Sequence, residues 1–498
     1  LVTYWVNIKM EDSQSHFNVV VVGAGISGIG AGYHLQKQCP NKSFVILEGR
    51  ESFGGTWDLF RYPGIRSDSD MHTMGYRFKP WIDEKFIADG PSILNYLEET
   101  ISENNLGNKI RYQHKVLTSS WSSSTSKWTL EVKNLTSGIT ESFTCNFLMM
   151  CGGYYNYDEG YSPHFENQEQ FNGLIIHPQK WPDNLDYKNK KVVVIGSGAT
   201  AVTIIPAMAD QVEHITMLQR SPTYFMSAPD KDMIGNFFKK IFSQKTAYFL
   251  TRWKNILMGN YFYKQCVKNP EKVKEMLING VRDHLGEDYD IDTHFTPKYK
   301  PWDERLCFVP NADMFEAMKS GKASVVTDHI DQFTETGIKL KSGEELTADI
   351  IIKATGLNLQ FLNGIDVKVD NSQINISEKL AYKGRMFNDI PNLACSFGYA
   401  RASWTLGADL SSEYVCKLLN YMDKHGYDYC SPVIGKEVRE EGTYLNLSSG
   451  YVKRAIDRMP KQGSREPWKG NQSYLSDVTE LRWGSITNDD LHFKTANQ

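Results

Sequence analysis

Two stretches of the chain share the same order of hydrophobic and polar positions. Each begins with a short β-branched run, continues into a glycine-rich turn, and passes into a segment whose apolar residues recur at helical spacing. The first stretch covers Phe17 to Gln38, and the second covers Lys191 to Asp210. A continuous apolar run followed by a helical pattern is typical of a buried parallel strand and its crossover helix. The pattern therefore predicts two βα units of an α/β fold.

The first unit carries a GxGxxG fingerprint between its strand and its helix. A second predicted strand, residues 43–47, ends in an acidic side chain at the spacing at which an acid binds ribose hydroxyls. Glycines in this context allow a pyrophosphate to approach the helix N-terminus. We therefore predict a dinucleotide site, assigned to FAD, at Gly23, Gly25, Ser27, Gly28 and Glu48.

The second unit repeats the fingerprint with alanine at its last position. At the end of its next strand, residues 214–218, it has Gln219 and Arg220 where the first unit has an acid. Because a guanidinium can pair with a 2′-phosphate, this difference favours NADPH over NADH. The predicted NADPH contacts are Gln219, Arg220 and the fingerprint residues Gly196, Ser197, Gly198, Ala199, Thr200 and Ala201.

Two further segments lack the periodicity of helices and strands. Residues 54–68 combine glycines, aromatic residues, arginines and acids, which predicts either an extended loop along a flavin or a surface loop packed around a tryptophan. Residues 171–182 contain Pro178 and Pro182, and we interpret them as a linker between the two nucleotide sites, too irregular for a helix or a strand core.

At 498 residues the chain is too long for one core. We predict an α/β fold of two Rossmann-like domains with a helical insertion: an FAD-binding domain at 11–150 and 385–498, an NADPH-binding domain at 151–225 and 305–384, and the insertion at 226–304. The insertion is rich in aromatic residues and lysine. We favour packing that shapes a substrate entrance, and loose association with a membrane surface is the alternative.

Composition excludes several other classes of protein. A net charge of -4 does not favour nucleic acid as a partner, and no apolar run reaches the roughly 18 residues of a membrane-spanning helix. Eight cysteines without CxxC or zinc spacing predict free thiols, no metal site and a cytoplasmic location. Residues 1–9 lack a signal peptide, so we expect Met10 to be the natural start. Residues 425–498 show no motif, and Tyr444, Trp468 and Trp483 are expected to pack in the core.

Two signatures give the chain a specific resemblance. The first, FxGxxxHxxxWP, is matched by Phe171, Gly173, His177, Trp181 and Pro182. The second, GxWxxxx(Y/F)PGxxxD, is matched by Gly55, Trp57, Tyr62, Pro63, Gly64 and Asp68. Together they resemble the signatures of type I Baeyer–Villiger monooxygenases, within the flavin-containing monooxygenase superfamily. The resemblance covers essentially the whole chain after Ser15.

The resemblance implies a reaction. NADPH would reduce FAD, the reduced flavin would add dioxygen at its C4a carbon, and the resulting peroxide would insert oxygen beside a ketone carbonyl to give an ester or lactone. Sulfides or thioamides would be oxidised by the same intermediate. The alternatives are an enzyme that mainly oxygenates sulfur or nitrogen, and an NADPH oxidase that releases hydrogen peroxide.

The resemblance also implies roles for individual residues. Arg305 matches the catalytic arginine, whose fixed charge suits an anionic oxidant, and Asp68 matches the acid that holds it. Glu304 departs from the lysine common in the family, which leaves more of the NADPH preference to Arg220. His177 is expected to hold the domains in register through a ring nitrogen bonded to backbone. We further expect FAD contacts from Thr56, Trp57, Asp68 and Val116, and an NADPH contact from Arg66.

Overall fold

The computed structural model describes residues 15–399, 401–445, 449–470 and 473–496. The expected start at Met10 lies outside these residues. The strands, in chain order, are β1 His16–Val22, β2 Phe44–Leu47, β3 Ile110–Arg111, β4 His114–Ser122, β5 Lys127–Asn134, β6 Thr140–Met150, β7 Tyr155–Gly160, β8 Leu174–Ile176, β9 Lys191–Ile195, β10 His214–Gln219, β11 Phe225–Ala228, β12 Cys307–Pro310, β13 Ala323–Thr327, β14 Ile330–Thr334, β15 Gly337–Leu340, β16 Glu345–Thr347, β17 Ile350–Lys353, β18 Leu357–Leu359, β19 Asp366–Val369, β20 Ser372–Gln373, β21 Ala381–Tyr382, β22 Met386–Phe387, β23 Leu393–Cys395, β24 Tyr429–Pro432, β25 Glu440–Thr443, β26 Lys461–Gly463 and β27 Leu491–Lys494.

The α-helices lie mainly on and between the sheets. In chain order they are α1 Ile26–Gln38, α2 Thr56–Leu59, α3 Met71–Met74, α4 Gly90–Glu103, α5 Ala199–Ala209, α6 Met233–Ile241, α7 Gln244–Lys268, α8 Pro270–Leu285, α9 Ile291–Phe295, α10 Asp313–Lys319, α11 Trp404–His425, α12 Gly450–Lys453 and α13 Tyr474–Asp477. Both fingerprint helices, α1 and α5, begin inside the glycine-rich fingerprints.

The first sheet has the strand order β20-β19-β4-β5-β6-β1-β2-β3, and β23 also pairs with β6. Its centre is parallel: β1 lies between β2 and β6. The side chains of Val19, Val20 and Val21 are completely buried, as expected for a parallel strand covered on both faces. The β4-β5-β6 part is an antiparallel meander, in which β5 alternates buried and exposed side chains.

The second sheet is entirely parallel, with the order β13-β10-β9-β17-β8. One strand corrects the interpretation of residues 171–182 as too irregular for a strand: Leu174–Ile176 is edge strand β8 and pairs with β17. The short apolar run was outweighed in the prediction by the two prolines that follow it. The two parallel sheets and the helices packed on them agree with the predicted α/β class.

The chain crosses between the two sheets through a pair of antiparallel strands. β7 leads from the first sheet to the second, β18 leads back, and the two pair with each other. The returning chain enters the first sheet at β19, which pairs with β4. Sheet pairing therefore places residues 366–373 with the first sheet, whereas the predicted boundary lies after residue 384. The division into domains stays a prediction.

The segment between β11 and β12 is helical and contains α6, α7, α8 and α9. Within the described ranges, none of the helices combines the length and the apolar character needed to span a bilayer. In the C-terminal part, Tyr444 and Trp468 are buried as expected, but Trp483 is 70% exposed. The expectation that Trp483 packs in the core was wrong, because aromatic composition alone does not show which side of a short helix faces solvent.

Candidate active site

A cavity of about 490 Å³ opens at the carboxyl ends of β1 and β2. Its walls come from the first fingerprint, the loop at residues 54–69, the start of β7 and the N-terminal turn of α11. The cavity brings together Arg305 and eight of the residues predicted to contact FAD, namely Gly23, Gly25, Ser27, Glu48, Thr56, Trp57, Asp68 and Val116. This location is where doubly wound sheets bind their ligands.

The glycines of the first fingerprint are required by close backbone approach. A Cβ on Gly23, whose φ is +99°, would lie 2.9 Å from Cα of Gly152, and a Cβ on Gly28 would lie 1.8 Å from the carbonyl oxygen of Gly23. Gly28 thus shapes the turn without lining the cavity. Gly25 is the N-cap of helix α1 and provides no side-chain cap, so the N-terminal N–H groups of the helix are available to an anion. This cradle fits the pyrophosphate of a dinucleotide.

Glu48 is held rigidly at the end of β2. Its Oε2 accepts a hydrogen bond from the N–H of Ala24 at 2.7 Å, and its Oε1 accepts one from the N–H of Arg50 at 2.9 Å. Burial raises the pKa of this carboxyl group, and the two N–H donors oppose that rise. The carboxylate lines the cavity in the position expected for a ribose ligand.

An ion pair that the sequence did not indicate joins Arg50, which lines the cavity, to helix α2. Nη2 of Arg50 lies 2.5 Å from Oδ2 of Asp58, which sits in the first turn of α2. Burial would raise the pKa of Asp58, but the guanidiniums of Arg50 and Arg61 lower it overall. Beside this pair, the hydroxyl groups of Thr56 and Tyr157 are 3.1 Å apart. These contacts hold the start of the predicted flavin loop against β7.

The loop then reaches across to the second sheet. Phe60 and Tyr62 are buried in the hydrophobic core formed by β9, β10 and α5. Burial raises the pKa of Tyr62 to about 12, and a hydrogen bond with Thr200 works against this rise. At Gly64, with φ of +75°, an added Cβ would lie 2.6 Å from Cβ of Ala207 on α5. The loop therefore connects the cavity to the second sheet and is not a surface loop.

The connector ends at the predicted catalytic pair. Nη1 of Arg305 lies 3.8 Å from Oδ2 of Asp68, and Nη2 donates to the hydroxyl of Tyr154 at 3.4 Å. Burial disfavours the charge on Arg305, but the oxygens of Tyr451, Tyr154, Tyr155 and Asp68 more than offset this and raise its pKa well above the usual value. Nε of Arg305 is buried and has no hydrogen-bond partner among the described residues. The site thus holds a permanent positive charge at the cavity wall.

Several aromatic residues of this wall were missed by sequence reasoning. Tyr154 stacks on Trp404, with ring centroids 5.1 Å apart, and the indole N–H of Trp404 donates to Oγ of Ser27 at 2.8 Å. Burial raises the pKa of Tyr154 and of Tyr155, which keeps both phenols protonated. Neither Tyr154 nor Trp404 was among the predicted site residues.

The second fingerprint forms a separate site outside the cavity. A Cβ on Gly196, whose φ is +126°, would lie 2.4 Å from the carbonyl oxygen of Ala354, while the space beside Gly198 is open. Gly198 is the N-cap of helix α5 and provides no side-chain cap. The turn from Gly196 to Ala201 therefore offers the same anion cradle as the first fingerprint and fits the pyrophosphate of NADPH.

The remaining predicted NADPH contacts differ in their exposure and in their contacts within the protein. Arg220 is exposed. Gln219 is buried, and its Nε2 donates to the carbonyl oxygen of His294 at 2.7 Å and to Oγ1 of Thr327 at 2.8 Å. Arg66 forms an ion pair with Asp313 at the start of α10. Gln219 and Arg66 thus contact other residues of the protein. Arg220 is exposed, and its guanidinium faces solvent.

The linker signature packs around β7 and β18, the two strands that carry the chain between the sheets. Nε2 of His177 donates to the carbonyl oxygen of Gly356 at 3.2 Å, and Nδ1 accepts from the N–H of Gln179 at 3.2 Å. A Cβ on Gly160 would lie 2.1 Å from the imidazole ring. This hydrogen bond from ring to backbone agrees with the expectation for His177, and the histidine does not line the cavity.

The other signature residues support this packing. Phe171 is buried, and a Cβ on Gly173 would lie 2.3 Å from the carbonyl oxygen of Asp349. Trp181 packs against the core of the second sheet, while Pro182 is exposed. The signature thus anchors edge strand β8 and the crossover.

Residues 17–384 match the pattern of the family described as flavin-binding monooxygenase-like. The chain belongs to this family. It is 52% identical over 482 residues to the FAD-containing monooxygenase EthA of Mycobacterium tuberculosis. The aligned residues cover 96% of this chain and 98% of that protein. It is 48% identical over 492 residues to the probable FAD-binding monooxygenase AlmA of an Acinetobacter species, covering 97% and 99%.

Solved structures agree in fold. An oxidised steroid monooxygenase bound to NADP superposes with a TM-score of 0.76, covering 96% of this chain and 100% of that one at 21% identity. The predicted superfamily and the predicted fold of two dinucleotide-binding domains are therefore confirmed. The flavin-binding monooxygenase-like chain is a flavin-dependent oxidoreductase.

Proposed function

We propose that this monooxygenase inserts one oxygen atom of dioxygen beside a ketone carbonyl to give an ester or lactone, and that it also oxidises sulfides or thioamides. Its cofactors are FAD and NADPH, as predicted. When bound, FAD would accept electrons from NADPH and would activate dioxygen. The observation that carries the proposal is the position of Arg305 beside Asp68 on the wall of the cavity that holds the first fingerprint.

Arg305 provides a positive charge that cannot transfer a proton at ordinary pH. A fixed guanidinium stabilises negative charge that develops on oxygen during ketone oxidation. Asp68 forms an ion pair with this guanidinium at 3.8 Å and orients it, and Tyr154 adds a polar contact on another side. Because these groups are fixed before substrate arrives, little reorganisation is needed when charge develops.

Cofactor binding is divided between the two glycine cradles. Gly23, Gly25 and Glu48 would hold FAD, with the pyrophosphate at the start of α1 and the ribose at the carboxylate. The turn at Gly196 would hold the pyrophosphate of NADPH, and Arg220 would recognise its 2′-phosphate. The connector through Tyr62 and Gly64 joins the two sites, so that movement of one sheet relative to the other is transmitted to Asp68.

Paired substrates test the proposal. The FAD-loaded protein is incubated with NADPH and either a ketone or its sulfide analogue, and product is compared with NADPH consumed. Ester formation coupled to NADPH consumption supports the proposal. Sulfoxide without ester would assign the chain to sulfur oxygenation, and hydrogen peroxide equal to the NADPH consumed with both substrates would assign it to NADPH oxidation.

Sulfur oxygenation is the second candidate function. The same cavity could serve it, because a sulfide needs an electrophilic, protonated oxidant and the protonated phenol of Tyr154 lies beside Arg305. The two candidates differ in their dependence on Arg305. Ketone oxidation requires the positive charge, whereas sulfide oxidation does not require stabilisation of an anionic oxidant.

A further inference from the structure

Two packed helices between β11 and β12 expose many large apolar side chains. On α6, Met233, Phe237 and Ile241 are 80, 57 and 57% exposed, and Ile234 is half exposed. Their spacing of three and four residues places them on one face of the helix. Apolar area of this extent in water is unfavourable unless another surface covers it.

Helix α7 continues the pattern. Leu257 and Tyr261 are exposed and lie one turn apart on the same face, while Tyr248 and Arg252 on the opposite face are buried. We call the exposed residues Met233, Ile234, Phe237, Ile241, Leu257 and Tyr261 the α6–α7 surface. The two helices pack closely: a Cβ on Gly235 of α6 would lie 2.9 Å from the methyl group of Thr251 on α7.

The charge of this region is strongly one-sided. Residues 233–270 contain seven lysine and arginine residues and no aspartate or glutamate, although the whole chain has a net charge of -4. Lys254 is paired with Asp232 at 2.5 Å. Lys240, Lys245, Lys264 and Lys268 are exposed and form no ion pair within the described part of the chain. Lys264 and Lys268 follow Tyr261 on the same face of α7.

A neighbouring loop, residues 82–84, adds to the apolar surface. It also contains two acidic residues, one of which forms an ion pair with a lysine. Nζ of Lys239 donates to the carbonyl oxygens of Ile82 and Asp83, at 3.2 and 2.6 Å. Ile82 is itself 65% exposed. Glu84 pairs with Lys231 at 2.9 Å, so Asp83 is the one acid in this loop whose charge is not matched by an ion pair.

We propose that the α6–α7 surface docks on an anionic lipid bilayer. Helices that lie in a membrane interface combine an exposed apolar face with flanking lysine or arginine, and both features occur here. A second copy of the chain fits less well, because pairing this surface with itself would bring its unpaired lysines together. Docking would be peripheral.

The docked helix would lie directly behind a wall of the cavity. Nη1 of Arg252, on the buried face of α7, donates to the carbonyl oxygens of His72 and Gly75, both at 2.7 Å. Met74, between these two residues, lines the cavity. The α6–α7 surface is therefore one helix away from the cavity, which would place the site close to the bilayer.

Vesicle sedimentation of the full, FAD-loaded chain tests the proposal without measuring activity. We expect the protein to sediment with phosphatidylcholine vesicles containing about 30% phosphatidylglycerol and to stay in solution with phosphatidylcholine alone, since each lysine near an anionic surface adds about fivefold to partitioning. About 0.5 M sodium chloride, where the screening length is about 4 Å, should release most of the bound protein.

Three double variants separate the contributions. Phe237→Ser with Ile241→Ser removes apolar area, and Lys264→Glu with Lys268→Glu reverses charge; each should lower vesicle partitioning at least about tenfold. Ile139→Ser with Trp483→Ser, which removes exposed apolar side chains elsewhere, should leave it unchanged. Flavin absorbance and thermal unfolding verify that each variant is folded.

Three results would overturn the proposal. One is wild-type holoenzyme that does not sediment with anionic vesicles. Another is sedimentation that neither double variant on the α6–α7 surface reduces. The third is a dimer in size-exclusion chromatography that Phe237→Ser with Ile241→Ser dissociates, without vesicle binding by the wild type, which would make the surface an interface between copies.

Discussion

His177 donates a hydrogen bond from Nε2 to the carbonyl oxygen of Gly356, and the same imidazole ring leaves no room for a Cβ on Gly160. Gly160 ends β7 and Gly356 precedes β18, the two strands that carry the chain between the sheets. One side chain therefore contacts both connections. We therefore propose that the histidine of the linker signature sets the relative position of the two nucleotide sites and does not act on the substrate.

Replacing His177 by alanine should disturb this register. We expect FAD to remain bound, because the first cradle is untouched. The rate of flavin reduction by NADPH, or the ratio of product formed to NADPH consumed, should fall roughly 10- to 100-fold. Stopped-flow flavin reduction and the ratio of product to NADPH measure the two effects.

His177→Gln is the matched control. Its side-chain amide can donate to Gly356 and accept from Gln179, so it should restore much of the lost coupling. Coupled turnover of His177→Ala equal to that of the wild type would contradict the positioning role.

Arg305 should be dispensable for flavin reduction and essential for ketone oxidation. For Arg305→Ala we expect reduction by NADPH within a few-fold of wild type and ester formation lowered about 100-fold or more, the usual cost of losing a fixed electrostatic contact. Asp68→Asn, which keeps the shape but weakens the orientation of the guanidinium, should give a smaller loss. Near-normal ester formation by Arg305→Ala would remove the catalytic assignment.

The close approach at Gly64 predicts a stability effect with an internal control. Gly64→Ala introduces a Cβ at φ of +75° and 2.6 Å from Ala207, whereas Gly138→Ala introduces one at φ of +74° with nothing within 4 Å. The backbone strain of about 1 kcal/mol is common to both, and overpacking adds a further ~1 to 3 kcal/mol at Gly64. Thermal unfolding of the holoenzymes compares them, and equal melting temperatures would show that the connector is loosely packed.

The parts of the site that depend on local chain geometry were predictable. Gly23, Gly28 and Gly196 were recognised because strand, turn and helix follow each other directly, and Glu48 follows from the strand length. Tyr154 and Trp404 were not recognised, because their stacking depends on how α11 returns to the first fingerprint after the whole second sheet. Such contacts leave no periodic or spacing signal in the sequence.

The missed strand β8 and the buried position of Gln219 have simple physical causes. Leu174–Ile176 was not recognised as a strand because an edge strand needs only three residues when it pairs with β17, and the prolines lie just beyond it. Gln219 was assigned to the cofactor by its place at a strand end, and this assignment stays a prediction; its amide nitrogen donates to His294 and Thr327. Alternation along a strand sends neighbouring side chains to opposite sides, so Gln219 and Arg220 do not share an environment.

Arg220 should determine the preference for NADPH over NADH. Losing a charge-assisted contact to phosphate costs about 1.5 to 3 kcal/mol, so Arg220→Ala should raise the dissociation constant of NADP⁺ roughly 10- to 100-fold and leave that of NAD⁺ unchanged. Binding is measured by titration calorimetry on the holoenzyme. Lys322→Ala, an exposed cation before the neighbouring strand β13, is the control, and an equal effect of both variants would mean that the preference reflects general charge.

One buried and one partly buried histidine predict that acid destabilises the fold. Burial lowers the pKa of His72 from 6.5 to about 4, against the influence of Asp70 and Asp232 and with that of Lys239 and Lys254. Burial also lowers the pKa of His177. Because both rings are neutral when folded and bind protons more readily when unfolded, their contribution is present above pH 6.5 and is lost as the pH falls below that value.

For His72 the lowering corresponds to roughly 3 kcal/mol between neutral pH and pH 4. The melting temperature of the holoenzyme should therefore fall as the pH decreases through this window. His72→Gln, which cannot be protonated, should flatten the decrease, and so should His177→Gln. A melting curve with the same pH dependence in all three proteins would show that other groups control acid stability.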